Sequence, residues 1–415
     1  MIVSVVGLGY IGLPTAAMLS SKGVEVIGVD VNQGIVELVN QGKIHIVEPG
    51  LDMLIREAVD KNKLKAVISP EKSDIFMIAV PTPFKDNYKP DLSYIKSAAK
   101  SIAVVLEKGN LVILESTCPV GTTEKMVEWM KEERPDLFFP VFGNKNLQND
   151  IFVAHCPERV LPGKVIRELV ENDRIIGGVS SKCAERAIKL YKVFVDAECT
   201  VTDCRTAELS KLVENSFRDV NIAFANELSL ICDKLDINVW EMIELANKHP
   251  RVNILQPGPG VGGHCIAVDP WFIVDSASDE AKLIKVARVV NENMPNFVLD
   301  KINNAVNSTG KKASELSIAC LGLTFKANID DLRESPALNV AKKISLMSFN
   351  EVILVEPNIN QAPKGFEFGT KITLIEDALK VADIVVLLVD HDQFKTIDLN
   401  LLSGKKVIDT RGIWS

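Results

Sequence analysis

The order of segments over its first 30 residues constrains this chain more than any other feature. A β-branched run, Ile2 to Val6, leads into the turn Gly7-Leu8-Gly9-Tyr10-Ile11-Gly12, and a helical stretch over 13–22 follows. A second β-branched run then ends in Asp30. Strand and helix alternating in this way predict a parallel sheet with helices on both of its faces.

The rest of the chain divides at a change of pattern. Residues 206–248 contain no glycine or proline and repeat apolar residues at helical intervals, which predicts a long helix to about Leu235 and a shorter one over Val239 to Asn247. The last hundred residues return to alternating strands and helices. We therefore predict an α/β fold of two doubly wound Rossmann-like domains joined by a long central helix and a helical dimerisation region. The expected domains are 1–200, 201–305 and 306–415.

Composition excludes several classes of protein. The 415 residues are 47% hydrophobic and 25% charged, and 47 basic residues face 55 acidic ones for a net charge of −8. This balance argues against a disordered chain, and against nucleic acid or an anionic membrane as the main partner. The eight cysteines form no CxxC pair and the five histidines are scattered, so no metal site is expected. We expect a reduced, cytoplasmic protein.

The first turn fits the dinucleotide-binding pattern in its proper context. Gly7, Gly9 and Gly12 follow a strand and open a helix, and Asp30 closes the next strand. Such glycines allow a tight turn and a close approach of the backbone to a pyrophosphate, while an acid accepts hydrogen bonds from ribose hydroxyls. A tight βα turn without a ligand would use the same glycines. The full combination predicts NAD rather than NADP.

A second glycine-rich segment carries a candidate nucleophile. Cys265 follows Gly260-Val-Gly-Gly263, and Asp269 comes four residues later. Most cysteines are small buried hydrophobic residues. Backbone N–H groups in a flexible glycine run can instead face an anion and activate a thiol. Both interpretations remain open from these residues alone.

The long helix carries a polar set at helical spacing. Lys211, Asn215 and Arg218 fall on one face of the helix. A solvated polar stripe would have the same spacing. A reactive thiol and NAD, however, call for a cation and an amide beside a developing oxyanion.

Several motifs in this order resemble the nucleotide-sugar 6-dehydrogenase family, which includes the UDP-glucose dehydrogenases. They are Gly7 to Gly12, Ser116 to Thr122, Lys211 to Asn215, Gly262 to Cys265, and Gly322 to Lys326 with Arg333 to Ser335. Within the family, Cys156 to Gly163, His249 to Asn253, Cys265 to Trp271, Val355 to Asn358 and Val389 to His391 resemble the UDP-N-acetylmannosamine dehydrogenase branch.

The resemblance implies a two-step, four-electron oxidation of the primary alcohol at carbon 6 of a UDP-sugar, with two NAD per turnover. Cys265 would then form a thiohemiacetal and a thioester. Lys211 would handle protons or stabilise the oxyanion, with Asn215 beside it, and Asp269 would help to activate water. Thr117 and Glu158 would hold an ordered water or the edge of the cofactor.

The resemblance also assigns binding residues. Cofactor positions are Gly7, Gly9, Tyr10, Ile11, Gly12, Asp30, Thr82, Thr117 and Arg333. Substrate positions are Arg159, Val160, Lys211, Asn215, Arg218, His249, Arg251, Gly262, Phe325 and Lys326, and Arg411 is expected to join them. A homodimer or higher homo-oligomer is implied, with the long helix at a two-fold interface and Arg251 reaching the site of the neighbouring subunit.

Two departures bear on the sugar. The UDP-glucose branch carries a second glutamate where this chain has Pro162, and a lysine where it has Val268. Both changes favour a 2-acetamido sugar over UDP-glucose and leave UDP-N-acetylglucosamine as an alternative. A β-hydroxyacid dehydrogenase and a non-catalytic NAD-sensing module are further alternatives. Counting the NADH formed per substrate separates these classes: two, one or none.

Overall fold

A computed structural model describes residues 1–144, 148–161, 163–263, 265–366 and 370–414. Pro162 and His264, which belong to motifs quoted above, lie outside the described residues. The chain divides into two compact units, Met1–Glu214 and Asn215–Ser415. The three-domain division expected from the sequence remains a prediction beside these two units.

The first unit contains an eight-stranded sheet. Short β-branched runs form its central strands because branched side chains pack well on a pleated surface. The strands are β1 (Ile2–Val6), β2 (Glu25–Val29), β3 (Leu64–Val67), β4 (Ile75–Ile78), β5 (Leu111–Leu114), β6 (Phe152–His155), β7 (Arg174–Gly178) and β8 (Cys199–Asp203).

The strand order is β3-β2-β1-β4-β5-β6-β7-β8. Every neighbouring pair is parallel except β6 and β7, which are antiparallel. The predicted doubly wound sheet is confirmed, but the expectation of a purely parallel sheet is wrong at this pair. The connection between β6 and β7 does not return the chain across the sheet, so β7 starts at the edge where β6 ends.

Helices cover both faces of this sheet. Val3 and Val5 of β1 are buried in one core with Leu13, whereas Val6 points to the other core with Ile102. This alternation follows from the two-residue period of a strand. The helices are α1 (Gly12–Ser21), α2 (Gln33–Asn40), α3 (Leu51–Asp60), α4 (Ser93–Ala103), α5 (Thr122–Glu133), α6 (Val165–Glu171) and α7 (Ser181–Tyr191), with a 3₁₀ turn at Asp86–Tyr88.

The long helix predicted from the sequence is confirmed as α8 (Cys204–Leu235), with 32 residues. The boundary between the two units falls within it, after Glu214. The shorter helix predicted after it is α9 (Val239–Asn247), which the side chain of Asn238 caps by accepting from Trp240 N and Glu241 N.

The second unit contains a four-stranded parallel sheet in the order β10-β9-β11-β12. Its strands are β9 (Ser317–Leu321), β10 (Glu351–Val355), β11 (Ile384–Leu387) and β12 (Lys406–Asp409). Its remaining helices are α10 (Asp269–Ser276), α11 (Lys282–Ser308), α12 (Pro336–Ser345), α13 (Ile375–Val381) and α14 (Asp392–Lys395), with 3₁₀ turns at Ala313–Glu315 and Leu399–Leu402. The second doubly wound sheet is thus confirmed. Over the part of the chain that the structure describes, no helix is both long and apolar enough to cross a membrane.

Candidate active site

The three glycines of the first turn have separate roles in the backbone. Gly7 has φ +94°, and a Cβ added there would lie 2.6 Å from the carbonyl oxygen of Ala79. A Cβ at Gly12 would lie 1.8 Å from the carbonyl oxygen of Gly7, where α1 begins. A Cβ at Gly9 would meet no atom within 4 Å. Gly7 and Gly12 therefore permit the turn, and Gly9 leaves open space above it for a ligand.

Asp30 lies directly after β2 and faces the same turn. Its carboxylate accepts hydrogen bonds from the N–H of Leu8 at 3.0 Å and the N–H of Asn32 at 2.9 Å. The side chain is half-buried, so the carboxylate keeps a solvent-facing side on which further donors can bind. This arrangement suits the two hydroxyl groups of a ribose.

Four other cofactor positions of the first unit lie at the same edge of the sheet. Thr82 follows β4 and Thr117 follows β5, because the carboxyl ends of parallel strands meet at one edge. Thr82 is buried, and its hydroxyl has no hydrogen-bond partner among the described residues. Tyr10 is exposed and Ile11 is half-buried in the turn itself. An open glycine, an available acid and an orphaned hydroxyl together fit a bound dinucleotide.

Glu158 is a buried acid that lies close to several cations. Its Oε1 pairs with Arg174 Nη1 at 3.0 Å, and both side chains are almost wholly inaccessible. Burial raises the pKa of Glu158, while the positive charges of Arg174 and Lys211 oppose that rise. The structure therefore brings the sequence-predicted Glu158 and Lys211 into one electrostatic cluster.

A second buried acid, Glu115, belongs to this cluster and escapes the sequence analysis. It follows β5, and its Oε1 accepts a hydrogen bond from the Tyr191 hydroxyl at 2.6 Å. Burial raises the pKa of Glu115 to about 7, against the opposing effect of Arg174. Glu115 could have been found in the sequence as a charged residue directly after a buried strand. Arg174 is likewise a charged residue at one end of a strand, since it begins β7.

Arg159 and Val160, two predicted substrate positions, directly follow Glu158, and the N–H and charge of Arg159 also oppose the rise in the pKa of Glu158. Arg159 pairs with Glu214 at 2.8 Å and also donates to the carbonyl of Asp173. Val160 is half-buried and packs against one hydrophobic core of the first unit. In this conformation the Arg159 guanidinium is therefore already bound within the first unit.

In the second unit, three predicted catalytic residues lie together. The carbonyl of Cys265 accepts from the N–H groups of Val268 at 3.0 Å and Asp269 at 2.9 Å, at the start of α10. Asn215 Nδ2 donates to Asp269 Oδ2 at 2.5 Å. Asp269 is buried, whereas Cys265 is exposed. An exposed thiol beside a fixed carboxylate–amide pair suits nucleophilic chemistry.

The glycine-rich loop before Cys265 packs tightly against the loop between β9 and α12. A Cβ at Gly262 would lie 2.5 Å from the carbonyl oxygen of Glu334 and 2.8 Å from Phe325 Cβ. The N–H of Gly263, where φ is +85°, donates to the carbonyl of Arg333 at 3.2 Å. Only glycine fits at these positions, which fixes Gly262 and Phe325 next to each other.

A cavity of about 230 Å³ opens at the carboxyl ends of β9 and β11. Predicted substrate residues Phe325, Lys326 and Arg411 line it, together with Gly260 of the glycine-rich loop. Lys326 is exposed, and Arg411 pairs with Asp390 at 2.9 Å. The structure thus brings three separate segments of the sequence, around Gly260, Phe325 and Arg411, into one cationic pocket.

Four exposed predicted positions of the second unit do not line this cavity. Arg218 is exposed on α8, and His249 and Arg251 are exposed in the turn after α9. Arg333, expected at the cofactor, is exposed and pairs with Asp331 at 2.6 Å.

One group of described residues resembles a set of metal ligands. Ligand atoms of Cys118, His155 and Glu208, all buried, lie within 4.8 Å of one another. The Glu208 carboxylate, however, accepts hydrogen bonds from Gly121 N at 2.6 Å and from Thr123 N at 2.7 Å. These donors lie at the start of α5, so Glu208 serves as the cap of that helix.

Comparisons with known protein families place matches along almost the whole chain. Three sequence profiles of the UDP-glucose/GDP-mannose dehydrogenase family match it in order. The NAD binding domain matches residues 1–195, the central domain matches 205–293 and the UDP binding domain matches 319–415.

Curated relatives and solved structures agree with these matches. The chain is 62% identical to a UDP-N-acetyl-D-mannosamine dehydrogenase of Campylobacter jejuni, over 94% of this chain and 96% of that protein. It is 60% identical to an NDP-N-acetyl-D-galactosaminuronic acid dehydrogenase of Ralstonia nicotianae, over 100% and 96%. The structure of a UDP-D-ManNAc dehydrogenase from Pyrococcus horikoshii superposes with a TM-score of 0.89 at 41% identity, covering 100% of this chain and 96% of that one.

Proposed function

Because the chain belongs to the UDP-glucose/GDP-mannose dehydrogenase family, we propose that it oxidises carbon 6 of UDP-N-acetyl-D-mannosamine to the uronic acid. It is an NAD-dependent nucleotide-sugar dehydrogenase. One observation carries the proposal for the chemistry: the exposed Cys265 lies beside Asp269, which Asn215 holds at 2.5 Å. A single oxidation of an alcohol would need no such thiol.

The proposed reaction has two oxidations. NAD held by the glycine turn and Asp30 would supply the hydride acceptor for each oxidation, so two NAD would be consumed per sugar. In the first, the alcohol at carbon 6 also loses its O–H proton to Lys211 and becomes an aldehyde. The Sγ of Cys265 then adds to the aldehyde carbon, and Lys211 donates a proton to the former carbonyl oxygen or stabilises it as an oxyanion.

The second oxidation removes a hydride from carbon 6 of the thiohemiacetal, Lys211 takes back the hydroxyl proton, and a thioester is left on Cys265. Asp269 takes a proton from water, the water oxygen attacks the thioester carbon, and the carbon–sulfur bond breaks. The thiol recovers its proton as the carboxylate leaves. Glu158, with Thr117, holds the water or the cofactor edge in this proposal. Because the aldehyde stays covalently bound, the reactive intermediate is not released.

The UDP group is assigned to the cavity of the second unit. Lys326 and Arg411 supply positive charge for a diphosphate, and Phe325, which packs against Gly262, lines the same cavity. The Asp390 partner of Arg411 orients its guanidinium. The match to a UDP binding domain over residues 319–415 supports this assignment.

The choice of sugar rests on departures from the UDP-glucose branch and on named relatives. Val268 stands where that branch has a lysine and is buried, so it adds no charge to the site. The name of the Campylobacter relative favours the mannosamine sugar. The name of the Ralstonia relative makes a galactosamine-derived sugar the second candidate.

We also propose a homodimer or higher homo-oligomer. In the second unit, α8 exposes Phe217, Phe224 and Ile231 at seven-residue spacing, which places them on one face. α11 exposes Leu283 and Val286 as well. Isologous contact between two copies would cover such a face, and the exposed Arg251 would then reach the site of the neighbouring subunit.

The domain division and location follow the same proposal. The proposed division has an NAD-binding domain over 1–200, a central domain over 201–305 and a UDP-sugar domain over 306–415. The three family matches support this division. A cytoplasmic location suits an enzyme that depends on an exposed, reduced thiol.

The decisive experiment is an assay of purified protein with NAD and a panel of UDP-sugars. The panel contains the N-acetylated mannosamine, glucosamine and galactosamine sugars and UDP-glucose. We expect two NADH per sugar, the highest kcat/KM with the mannosamine substrate, and no acid from Cys265→Ser although this variant still binds NAD. One NADH per substrate, or acid formed by the serine variant at the wild-type rate, would refute the thioester route.

A further inference from the structure

A row of buried amides ties the glycine-rich loop to two helices of the second unit. The N–H of Gly258 donates to Asn226 Oδ1 at 2.9 Å. Asn226 Nδ2 donates to Asn291 Oδ1 at 2.8 Å, and Asn291 Nδ2 donates to Asp219 Oδ1 at 2.8 Å. Asp219 and Asn226 lie on α8 and Asn291 lies on α11, so one row joins the loop to both helices.

The row can run in one direction only. A backbone N–H can only donate and an ionised carboxylate can only accept, so each amide between them has one permitted orientation. The side chains of Asp219, Asn226 and Asn291 are at most 1% exposed, so water does not compete for these bonds. Arg288 Nη1 holds the far end, at 2.6 Å from Asp219 Oδ1.

This network is a costly way to join two helices. Among the described residues, Asp219 Oδ2 and Arg288 Nε are buried without a hydrogen-bond partner. Apolar side chains would join α8 to α11 without burying such groups. The contact that apolar side chains could not replace is the hydrogen bond that the Gly258 N–H of the loop donates to Asn226 Oδ1.

The loop is held from other sides as well. The Pro257–Gly258 peptide offers its carbonyl to Arg411 Nη1 at 3.5 Å while its N–H binds Asn226. Pro295, inside α11, has no N–H to offer the carbonyl of Asn291 four residues earlier. That carbonyl would lie 3.2 Å from a Cβ at Gly260, so the loop packs directly against it.

We propose that Asn226 and Asn291 are positioning residues that fix the Pro257–Gly258 peptide and, through it, the loop that carries Cys265 and the Arg411 wall of the cavity. Neither side chain reaches the reacting atoms in this assignment. They act by setting the backbone from which the thiol projects. The role in turnover rests on the proposed function, whereas the effect on the thiol does not.

The test uses Asn226→Asp, which keeps the acceptor for Gly258 but turns a donor to Asn291 into a repelling oxygen. Asn296→Asp is the matched control, because Asn296 is exposed on the same helix as Asn291. Alkylation by iodoacetamide is followed by mass spectrometry, with Cys265→Ser identifying the labelled site. We expect Asn226→Asp to change the alkylation rate at Cys265 at least threefold and to lower kcat with UDP-N-acetyl-D-mannosamine at least tenfold. The dissociation constant for NAD should stay within twofold, and the control should match the wild type.

An alkylation rate equal to that of the wild type, in a variant that is merely less heat-stable, would overturn the proposal. If wild type and variant both lack turnover but differ in alkylation, the loop role stands and the proposed function fails. Should Asn226→Asp not fold, hydrogen exchange in the wild-type enzyme decides. The Gly258 amide must be strongly protected, and exchange at the rate of an unfolded peptide would refute the role of Asn226.

Discussion

The turn after β1 in the first unit and the turn after β9 in the second share their backbone geometry. Gly7 and Gly322 have φ of +94° and +92°. Each N–H donates at 2.8 Å to the last residue of the neighbouring strand, Val29 in one sheet and Val355 in the other. A Cβ added at either glycine would clash with residues that lie just after the end of an adjacent strand.

The acids that face these turns differ in how far their carboxylates remain accessible to a ligand. Asp30, after β2, accepts two backbone N–H groups and stays half-buried. Glu356, after β10, is 2% exposed. It accepts from Leu323 N at 2.7 Å and lies 3.1 Å from His391 Nε2. His391 Nδ1 accepts from a backbone N–H, so its ring proton is placed on Nε2, towards Glu356.

The helix after the turn differs too. In sequence, α1 begins at Gly12, shortly after Gly7, whereas α12 begins only at Pro336, well after Gly322. The first turn therefore presents helix N–H groups to an anion, and the second relies on the side chains of its long loop. One backbone turn can serve a dinucleotide or another nucleotide, depending on whether its acid is left open or enclosed.

Glu356→Ala should give the largest effect, by removing the enclosed acid. The buried N–H groups of Leu323 and Thr324 and the ring of His391 would lose their partner. We expect a loss of about 3–5 kcal/mol in the free energy of unfolding. Urea unfolding followed by tryptophan fluorescence measures it, with Glu351→Ala, at the exposed start of β10, as control. A loss no larger than that of the control would show that the acid is not needed to hold the turn.

Glu115→Gln tests a buried acid at the end of a strand that accepts from the Tyr191 hydroxyl rather than from backbone N–H groups. The pKa of Glu115 is raised to about 7, so its contribution to stability is full below about pH 4.5 and is lost as pH rises through about 7. The wild type should lose about 3 kcal/mol over this range that the glutamine variant does not lose.

The contribution of Glu356 to stability depends on pH with the opposite sign. Burial alone would raise its pKa, but the hydrogen bonds from His391 and Leu323 outweigh that effect and lower it. Its contribution is therefore lost as pH falls.

For Glu115, the urea midpoints of the wild type and of Glu115→Gln from about pH 5 to about pH 8 measure the predicted difference in stability. Parallel curves would mean that Glu115 is not protonated in the folded protein.

Asp30→Ala should affect ligand binding more than stability. Loss of the contact to ribose hydroxyls should weaken NAD binding by about 1.5–3 kcal/mol, or roughly 10–150-fold. Isothermal titration calorimetry measures the change, and the exposed Asp52→Ala on α3 is the control. An unchanged affinity would assign the ribose to another residue and remove the contrast with Glu356.

Asn358→Ala should give the smallest effect. Its Nδ2 lies 3.1 Å from Glu356 Oε1 and 3.0 Å from His391 Nδ1, at the rim of the enclosed acid. We expect a loss of about 1 kcal/mol in the free energy of unfolding, with no change in NAD binding. Urea unfolding measures it, and the exposed Asn400→Ala is the control. A loss as large as that of Glu356→Ala would mean that the amide, not the acid, organises the turn.

Local pattern was sufficient to predict much of the fold. The bounds of β1 and α9 agree with the sequence analysis residue for residue, because strand and helix periods are read over a few neighbours. β8 was not predicted: it is an edge strand with polar residues, and its pairing with β7 supplies what its own pattern lacks. The reversed direction of β7 is a tertiary property that no local pattern encodes.

The candidate site divides in the same way. Gly7, Gly12 and Cys265 could be singled out because their neighbours in sequence are also their neighbours in space. The pair of Arg174 and Glu158, and the row from Gly258 to Asp219, depend on burial of polar groups by distant elements. A single sequence names the residue types but does not say which charged ones are enclosed.

The distribution of the cysteines has a consequence for how this enzyme would lose activity under oxidative stress. Six of its eight thiols are buried and Cys199 is half-buried, whereas Cys265 is exposed. Oxidants therefore reach the nucleophile before they reach the core, and inactivation should precede unfolding. At the sulfenic acid stage a thiol reductant would restore activity, whereas further oxidation to the sulfinic acid would silence a protein that is still folded.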